Sequence, residues 1–277
     1  MRDTTIAFIG GGNMARSLIG GLLAAGTPAA RLRAADPDPE ARRLLAERFG
    51  VATHEDNAAA LEGADAVVLA VKPQVLRDVA ETLAPGVQRA RPLVVSIAAG
   101  VRTAALTAWL GGGVALVRAM PNTPALVRSG ATALYATPEV GETQRETAES
   151  ILRAVGATLW LDDEAMMDAV TAVSGSGPAY LLLVMEAIES AAVELGLPRE
   201  TARLLTLETA FGAAKLALEA DEDVARLRAR VTSPGGTTER ALEVLEAGDL
   251  RRLFREALTA ARDRSRELAA RLGGEIE

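Results

Sequence analysis

The chain of 277 residues contains no cysteine, a single histidine (His54), and only two lysines, Lys72 and Lys215, against 28 arginines. Each shortage removes a class of chemistry. Without cysteine there is neither a thiolate nucleophile nor a disulfide framework, and a metal site would have to be built almost wholly from carboxylates. Catalysis by an imidazole or an amine has just those three side chains to draw on. Aromatics make up 3% of the chain, so the core must rest on Ala, Leu and Val. A net charge of −7, with arginines and acids interspersed, argues against binding nucleic acid or an anionic membrane surface. The first residues run into a strand-like segment with no signal-peptide pattern. The longest uncharged apolar stretch, residues 178–185, is far short of the roughly 20 residues of a membrane span. Together these features predict a soluble, cytoplasmic protein.

What is present is ordinary globular material, 49% hydrophobic and 24% charged, enough for one or two domains. Over the first 160 or so residues, short β-branched runs alternate with helical patterns. Residues 6–9, 66–71, 93–98 and 114–117 read as buried strands, with a second strand ending near Asp36 and further strands at 131–135 and 157–161. The first helix runs from about Asn13 to Gly26. The second has Asp38 as N-cap, Pro39 at its first position and Gly50 as its stop. Alternating strands and helices predict a doubly wound parallel α/β sheet. Beyond residue 163 only helical periodicity remains: about 180–195, 199–219, 224–231, 239–246 and 250–272, with residues 273–277 frayed. The expected division is 1–162 for the sheet domain and 163–277 for an all-α domain. Leu181, Leu182, Leu183, Val184 and Met185 make one helix too apolar all round for a surface, which predicts self-association.

Gly10, Gly11, Gly12, Asn13, Met14 and Ala15 follow the first strand and open the first helix, giving G-x-G-x-x-A. The first glycine makes a tight turn, the second admits a pyrophosphate close to the backbone, and Ala15 lets the helix pack on the strand. The helix start then offers N–H groups and partial positive charge to phosphates. Asp36 lies where an acid would bond the ribose 2′-OH of NAD, whereas Arg42 and Arg43 suit the 2′-phosphate of NADP. Alternatively, Asp36 caps the turn into Pro37 and the arginines form a solvated helix face. His54 falls in a polar loop after a short strand, with no carboxylate placed to orient it as a base. Lys72 closes the buried run 66–71 at the sheet's carboxyl edge, and Lys215 reads as a snorkelling surface residue.

Three further segments stand out: Arg118-Ala119-Met120-Pro121-Asn122-Thr123-Pro124 after a strand, Ser174-Gly175-Ser176-Gly177-Pro178-Ala179-Tyr180 at the head of the helical part, and Thr232-Ser233-Pro234-Gly235-Gly236-Thr237-Thr238 between two helices. In the last, Thr238 is a natural N-cap, and the glycines leave backbone N–H groups unshielded for a carboxylate or phosphate. With the glycine loop, residues 70–74 and Ser96-Ile97-Ala98-Ala99-Gly100, these segments resemble the Δ1-pyrroline-5-carboxylate reductase family over essentially the whole chain. Thr232 to Thr238 is the most specific match.

The resemblance implies a Rossmann-like nicotinamide domain, a helical dimerisation domain and NADPH as cofactor, with NADH also possible. It further implies a homodimer, with dimers joining into rings such as a decamer. Gly10, Gly11, Gly12, Asn13 and Met14 would hold the pyrophosphate; Asn57, Ala70, Val71, Lys72 and Pro73 would contact the cofactor; Ala99 would line the nicotinamide. The substrate carboxylate would bind Gly236, Thr237 and Thr238, with the Thr238 hydroxyl reaching the ring nitrogen. A cyclic imine is electrophilic once protonated, so its reduction needs positioning more than a strong protein acid. The catalytic lysine of the β-hydroxyacid dehydrogenase class has no counterpart, since that position holds Leu181. A non-catalytic NAD(P)-binding regulator would rest on the glycine loop alone.

Overall fold

Eight strands form a single sheet: β1 (Ile6–Ile9), β2 (Leu32–Ala35), β3 (Ala52–His54), β4 (Ala66–Leu69), β5 (Leu93–Ser96), β6 (Leu116–Met120), β7 (Gly130–Ala136) and β8 (Gly156–Trp160). Their order is β3-β2-β1-β4-β5-β6-β7-β8. Every neighbouring pair is parallel except β6 and β7. That exception departs from the all-parallel expectation, and its cause is local. Pro121 and Pro124 confine the connection to a loop with one short 3-10 turn, Thr123–Val127, where a parallel crossover needs a dozen or so residues or more. Strand β6 also starts later than the sequence pattern indicates and runs to Met120, so Arg118 lies inside it. The computed structural model describes residues 3–273.

Side chains alternate across the sheet and build a core on each face. Ile6, Phe8, Val68 and Val95 meet Leu18, Ile19 and Leu22 of α1 (Asn13–Ala24), Leu45 of α2 (Pro39–Phe49), and Ile151 and Leu152 of α6 (Glu142–Arg153). Ala7, Ile9, Val67 and Val94 meet Leu61 of α3 (Asn57–Leu61), Leu83 and Val87 of α4 (Leu76–Ala90) and Leu106 of α5 (Thr103–Trp109). Each fully buried Leu or Ile contributes about 1.5–3 kcal/mol. The caps of α2 are as expected: Asp38 accepts from the Glu40 N–H, Pro39 is first in the helix, and Gly50 ends it at φ 67°.

The change from mixed to purely helical structure falls at Glu164: a 3-10 turn (Glu164–Met166), α7 (Met167–Val170), a π-helical segment (Thr171–Gly175), α8 (Gly177–Glu194), α9 (Arg199–Glu219), α10 (Val224–Arg230), α11 (Thr237–Ala247) and α12 (Leu250–Gly273). Compactness divides the chain differently. Residues up to 176 together with those from 261 onward form one unit, and residues 177–260 form another. Glu164 and Asp168 belong to the sheet unit because their carboxylates bond to Arg118 and Arg102. Gly273 closes α12, while residues 274–277, expected to fray, lie outside the described residues. Residues 164–194, counted together as 31 residues with a bend at Ser176, are by length and composition long and apolar enough to cross a membrane.

Candidate cofactor and substrate sites

Strand order reverses at β1, which pairs with β2 on one side and β4 on the other, so the glycine loop sits at the topological switch point. Gly10 has φ +101°, its N–H donates to Ala35 O (2.8 Å), and a Cβ there would lie 2.8 Å from the Ala70 carbonyl oxygen. Gly11 donates to Asp36 Oδ2 (2.7 Å), and a Cβ there would lie 2.8 Å from Leu45 Cδ1. Gly12 differs, because its Cβ would meet nothing within 4 Å. The protein itself therefore demands glycine at 10; at 11 a Cβ would press only on the tip of the Leu45 side chain, and at 12 the missing side chain leaves open space over the helix start. Asn13 and Met14 open α1, and Ala15 is fully buried. This cradle fits a pyrophosphate. Arg16, which the sequence reading did not single out, donates from Nε to Gly11 O (2.8 Å) and brings a cation beside it.

At the β2 end the carboxylate of Asp36 is used twice by the backbone, by Gly11 N–H and by Asp38 N–H (2.9 Å). Arg42 is pinned there too, its Nη1 donating to the carbonyls of Asp36 (2.8 Å) and Pro37 (2.9 Å). Arg43 is committed to Glu40 and Glu47, whose hydrogen bonds raise its pKa, with Glu40 the larger influence. It belongs to the solvated helix face. His54 is not in a loop as expected but ends β3, where its carbonyl accepts from Asp36 N–H (3.1 Å). Its Nε2 is buried without a partner, and no carboxylate orients it among the described residues. Asn57 is the first residue of α3, just after the capping Asp56.

Ala70 and Val71 follow β4 on the same edge, and Ala70 N–H donates to Ile9 O (2.8 Å). Lys72 is exposed three residues past the strand, before the one-turn helix Pro73–Val75. After β5, Ile97 N–H bonds to Leu69 O (3.2 Å), Ala98 and Gly100 are buried, and Ala99 is exposed. Two segments noted separately in the sequence meet here. Buried Asn122 donates from Nδ2 to Ser174 O (3.0 Å) and accepts from Ala131 N–H (2.9 Å). A Cβ on Gly175 would lie 2.7 Å from Met120 Cε, so that glycine lets the π-helical segment seat against β6.

In the second unit α11 begins at Thr237 with Gly236 as N-cap, two residues earlier than the expected cap at Thr238. The Glu239 carboxylate accepts from Gly235 N–H (2.6 Å) and closes the turn ahead of the helix. Gly236 N–H donates to Ser233 O (3.0 Å). The N–H groups at the helix start are then those of exposed Thr237 and Thr238, which lack intrahelical acceptors. Helices α2, α3 and α10 are closed by the carboxylates of Asp38, Asp56 and Asp223. Helices α1 and α11 start on glycine with no side-chain cap. They are the two helix starts that the sequence assigns to phosphate and carboxylate.

Comparison with known proteins agrees with both halves of this arrangement. Residues 164–268 match the family described as pyrroline-5-carboxylate reductase dimerisation, and residues 5–100 match that described as NADP oxidoreductase, coenzyme F420-dependent. The pyrroline-5-carboxylate reductase of Pseudomonas aeruginosa is 55% identical over 99% of this chain and 100% of its own length. Among solved structures, that of a pyrroline-5-carboxylate reductase from Coxiella burnetii superposes with a TM-score of 0.93 at 48% identity, covering 96% of this chain and 98% of the other. The Plasmodium falciparum pyrroline carboxylate reductase, solved with NADP bound, superposes at 0.86 with 28% identity, covering 98% and 100%. With identity of that degree running the length of both units, the chain belongs to the pyrroline-5-carboxylate reductase family.

Proposed function

We propose that the protein reduces the cyclic imine of 1-pyrroline-5-carboxylate to L-proline with NADPH, the last step of proline biosynthesis. The observation that carries this reading is that two helices begin on glycine without a side-chain cap inside glycine-rich loops, α1 in the sheet unit and α11 in the helical one, whereas α6, which also begins on a glycine, follows no such loop. One suits a pyrophosphate and the other a small carboxylate. When bound, the reduced nicotinamide supplies the hydride that the imine carbon accepts, and a proton on the ring nitrogen completes the amine.

The chain's own residues bind and orient. Gly10, Gly11, Gly12, Asn13 and Met14 cradle the pyrophosphate; Asp36 shapes the loop through Gly11; Asn57, Ala70, Val71, Lys72 and Pro73 flank the cofactor; Ala99 faces the nicotinamide. The N–H groups of Thr237 and Thr238 receive the substrate carboxylate beside Gly236, and the Thr238 hydroxyl lies within its own helix turn to meet the ring nitrogen. Residues 1–162 serve the dinucleotide and 163–277 serve dimerisation and substrate. The substrate lies between the nicotinamide of one protomer and the helical domain of its partner, and dimers join into a ring such as a decamer. A chain without cysteine suits the reducing cytoplasm.

A spectrophotometric assay of NADPH and NADH oxidation with pyrroline-5-carboxylate tests the reading, and no oxidation of either would end it. In Thr238→Ala, kcat is expected to fall about 10- to 100-fold while NADPH affinity stays within about twofold, as for removal of one oriented hydrogen-bonding group. Unchanged turnover would remove Thr238 from the reaction.

A further inference from the structure

The sheet unit buries a cluster of charge that binding and hydride transfer do not obviously require. The Glu164 carboxylate accepts from Arg118 Nη1 (2.7 Å), from the Thr103 backbone N–H (2.8 Å) and from Thr103 Oγ1 (2.6 Å). Asp168 accepts from Arg102 Nη2 (2.6 Å) and from the Ser265 hydroxyl (2.8 Å), with Arg266 Nε 3.9 Å away. Each pair has one deeply buried member, Arg118 at 3% and Asp168 at 1% exposure, against partly exposed partners, Glu164 at 16% and Arg102 at 32%. Burying ion pairs is a poor route to stability, since apolar side chains of similar volume usually do as well or better. A cluster placed here is therefore better explained by geometry than by stability.

The location supplies one. Arg102 and Thr103 end the loop that begins after β5, and Glu164 and Asp168 grip both. Within that loop Gly100 adopts φ +77°, and a Cβ on it would lie 3.3 Å from Leu272 Cδ1 and 3.8 Å from Leu268 Cβ, so the end of α12 rests on it. At its other end Ile97 N–H is tied to Leu69 O. Residue 99 is the exposed point of a loop that is otherwise anchored by hydrogen bonds, ion pairs and packing.

We propose that Glu164 and Asp168 are positioning residues for hydride transfer, holding the Ala99 loop at a fixed height through Thr103 and Arg102, with Ser265 of the C-terminal helix bracing Asp168. The inference rests on the reading that Ala99 lines the nicotinamide. A displacement of this loop would misplace the hydride donor, and misplacements of ~1 Å can cost two orders of magnitude in rate.

The test uses the full-length assembled enzyme and single-turnover oxidation of NADPH, normalised to cofactor-bound sites, with 4-deuterated NADPH to confirm that hydride transfer is the step observed. Thr103→Val keeps the side-chain shape and the backbone bond but loses the hydroxyl. It is expected to slow hydride transfer about 5- to 10-fold with the NADPH KM within about twofold, and Thr103→Ser is expected to restore the rate. Asp168→Asn is expected to slow it further; should that variant fail to fold, Ser265→Ala, which removes one hydrogen bond to Asp168, decides that half of the brace, and normal hydride transfer in it removes Asp168 from the role. A Thr103→Val enzyme that melts earlier but transfers hydride at the normal rate makes the cluster structural and overturns the proposal. Ala99→Val separates the two levels. If it perturbs NADPH binding or hydride transfer while Thr103→Val does not, the brace alone falls; if it perturbs neither, the Ala99 reading falls and takes the brace with it.

Discussion

The two units use the same aliphatic residues to opposite ends. In the sheet unit every residue of β1, β4 and β5 is buried, and helices close both faces. In residues 177–260 only Ala202, Thr206 and Leu227 are buried, while Leu181, Leu182, Leu183, Phe211 and Leu218 stand largely exposed. The first unit supplies its own core. The second carries apolar surface well beyond what a lone soluble domain presents, and a helix apolar on all sides demands cover. The segment that carries this surface matches a family described as a dimerisation region, which fits cover by self-association.

The difference can be broken most forcefully on α8. Leu183, 65% exposed in the single chain, would be buried in a dimer, so Leu183→Arg places an unpaired charge in an apolar interface at a cost of several kcal/mol. Sedimentation should show dissociation, and turnover should fall by roughly 100-fold or more, since several kcal/mol is two or more decades in an equilibrium. NADPH binding should persist because the sheet unit owns its core. A variant that remains dimeric and active would show that this face is not the covered one.

Within the self-sufficient unit, neighbouring glycines should separate stability from binding. Gly10→Ala forces a side chain into φ +101° and against the Ala70 carbonyl. The expected loss is about 2–4 kcal/mol, from positive-φ strain and overpacking together. Gly12→Ser should behave in the opposite way. Gly12 has φ −69° and ψ −177°, an extended N-cap conformation in which serine is favoured, so thermal stability should hold or rise slightly. Its side chain nevertheless occupies the open space over the helix start, and the NADPH KM should rise about 10-fold, the equivalent of ~1.4 kcal/mol. Thermal melts and cofactor titrations on the pair decide the matter; a Gly12→Ser enzyme with normal NADPH affinity would remove the pyrophosphate from that spot.

Much of this organisation was legible in the sequence because it is local. The strands β1, β4 and β5, the caps of α2 and the switch from mixed to helical structure all follow from periodicity and cap chemistry over short stretches. What escaped was set by partners distant in sequence or by competition between neighbours. His54 joined a strand because Ala35 and Asp36 pair with it. Thr238 is a good cap, but the Glu239 carboxylate closes the turn on Gly235, and α11 can begin two residues sooner. No spacing rule links Glu164 with Thr103 or Asp168 with Ser265; only the fold brings those residues together. Of the candidate site, the glycine loop, the two glycines before α11 and the Asp36 cap on the turn into Pro37 were readable as motifs, whereas the bond from Gly11 to Asp36 and the pinning of Arg42 by two carbonyls were not.

That last pair yields the smallest and most discriminating effect. The sequence left Asp36 suited to the ribose hydroxyl of NAD and Arg42 suited to the phosphate of NADP. In the structure both Asp36 oxygens are bonded to backbone N–H groups, while Arg42 is fixed beside them by two carbonyls that occupy one of its nitrogens. Its other terminal nitrogen faces the exposed Glu55 at 3.5 Å, a loose pairing that an incoming phosphate can replace. A partly exposed charge pair of this kind is worth up to about 1 kcal/mol, or roughly fivefold in affinity. Arg42→Gln should therefore raise the NADPH KM about fivefold and leave the NADH KM unchanged. Were both constants to rise together, Arg42 would be a staple of the β2–α2 turn acting through Asp36, and discrimination between the two cofactors would lie elsewhere on the sheet edge.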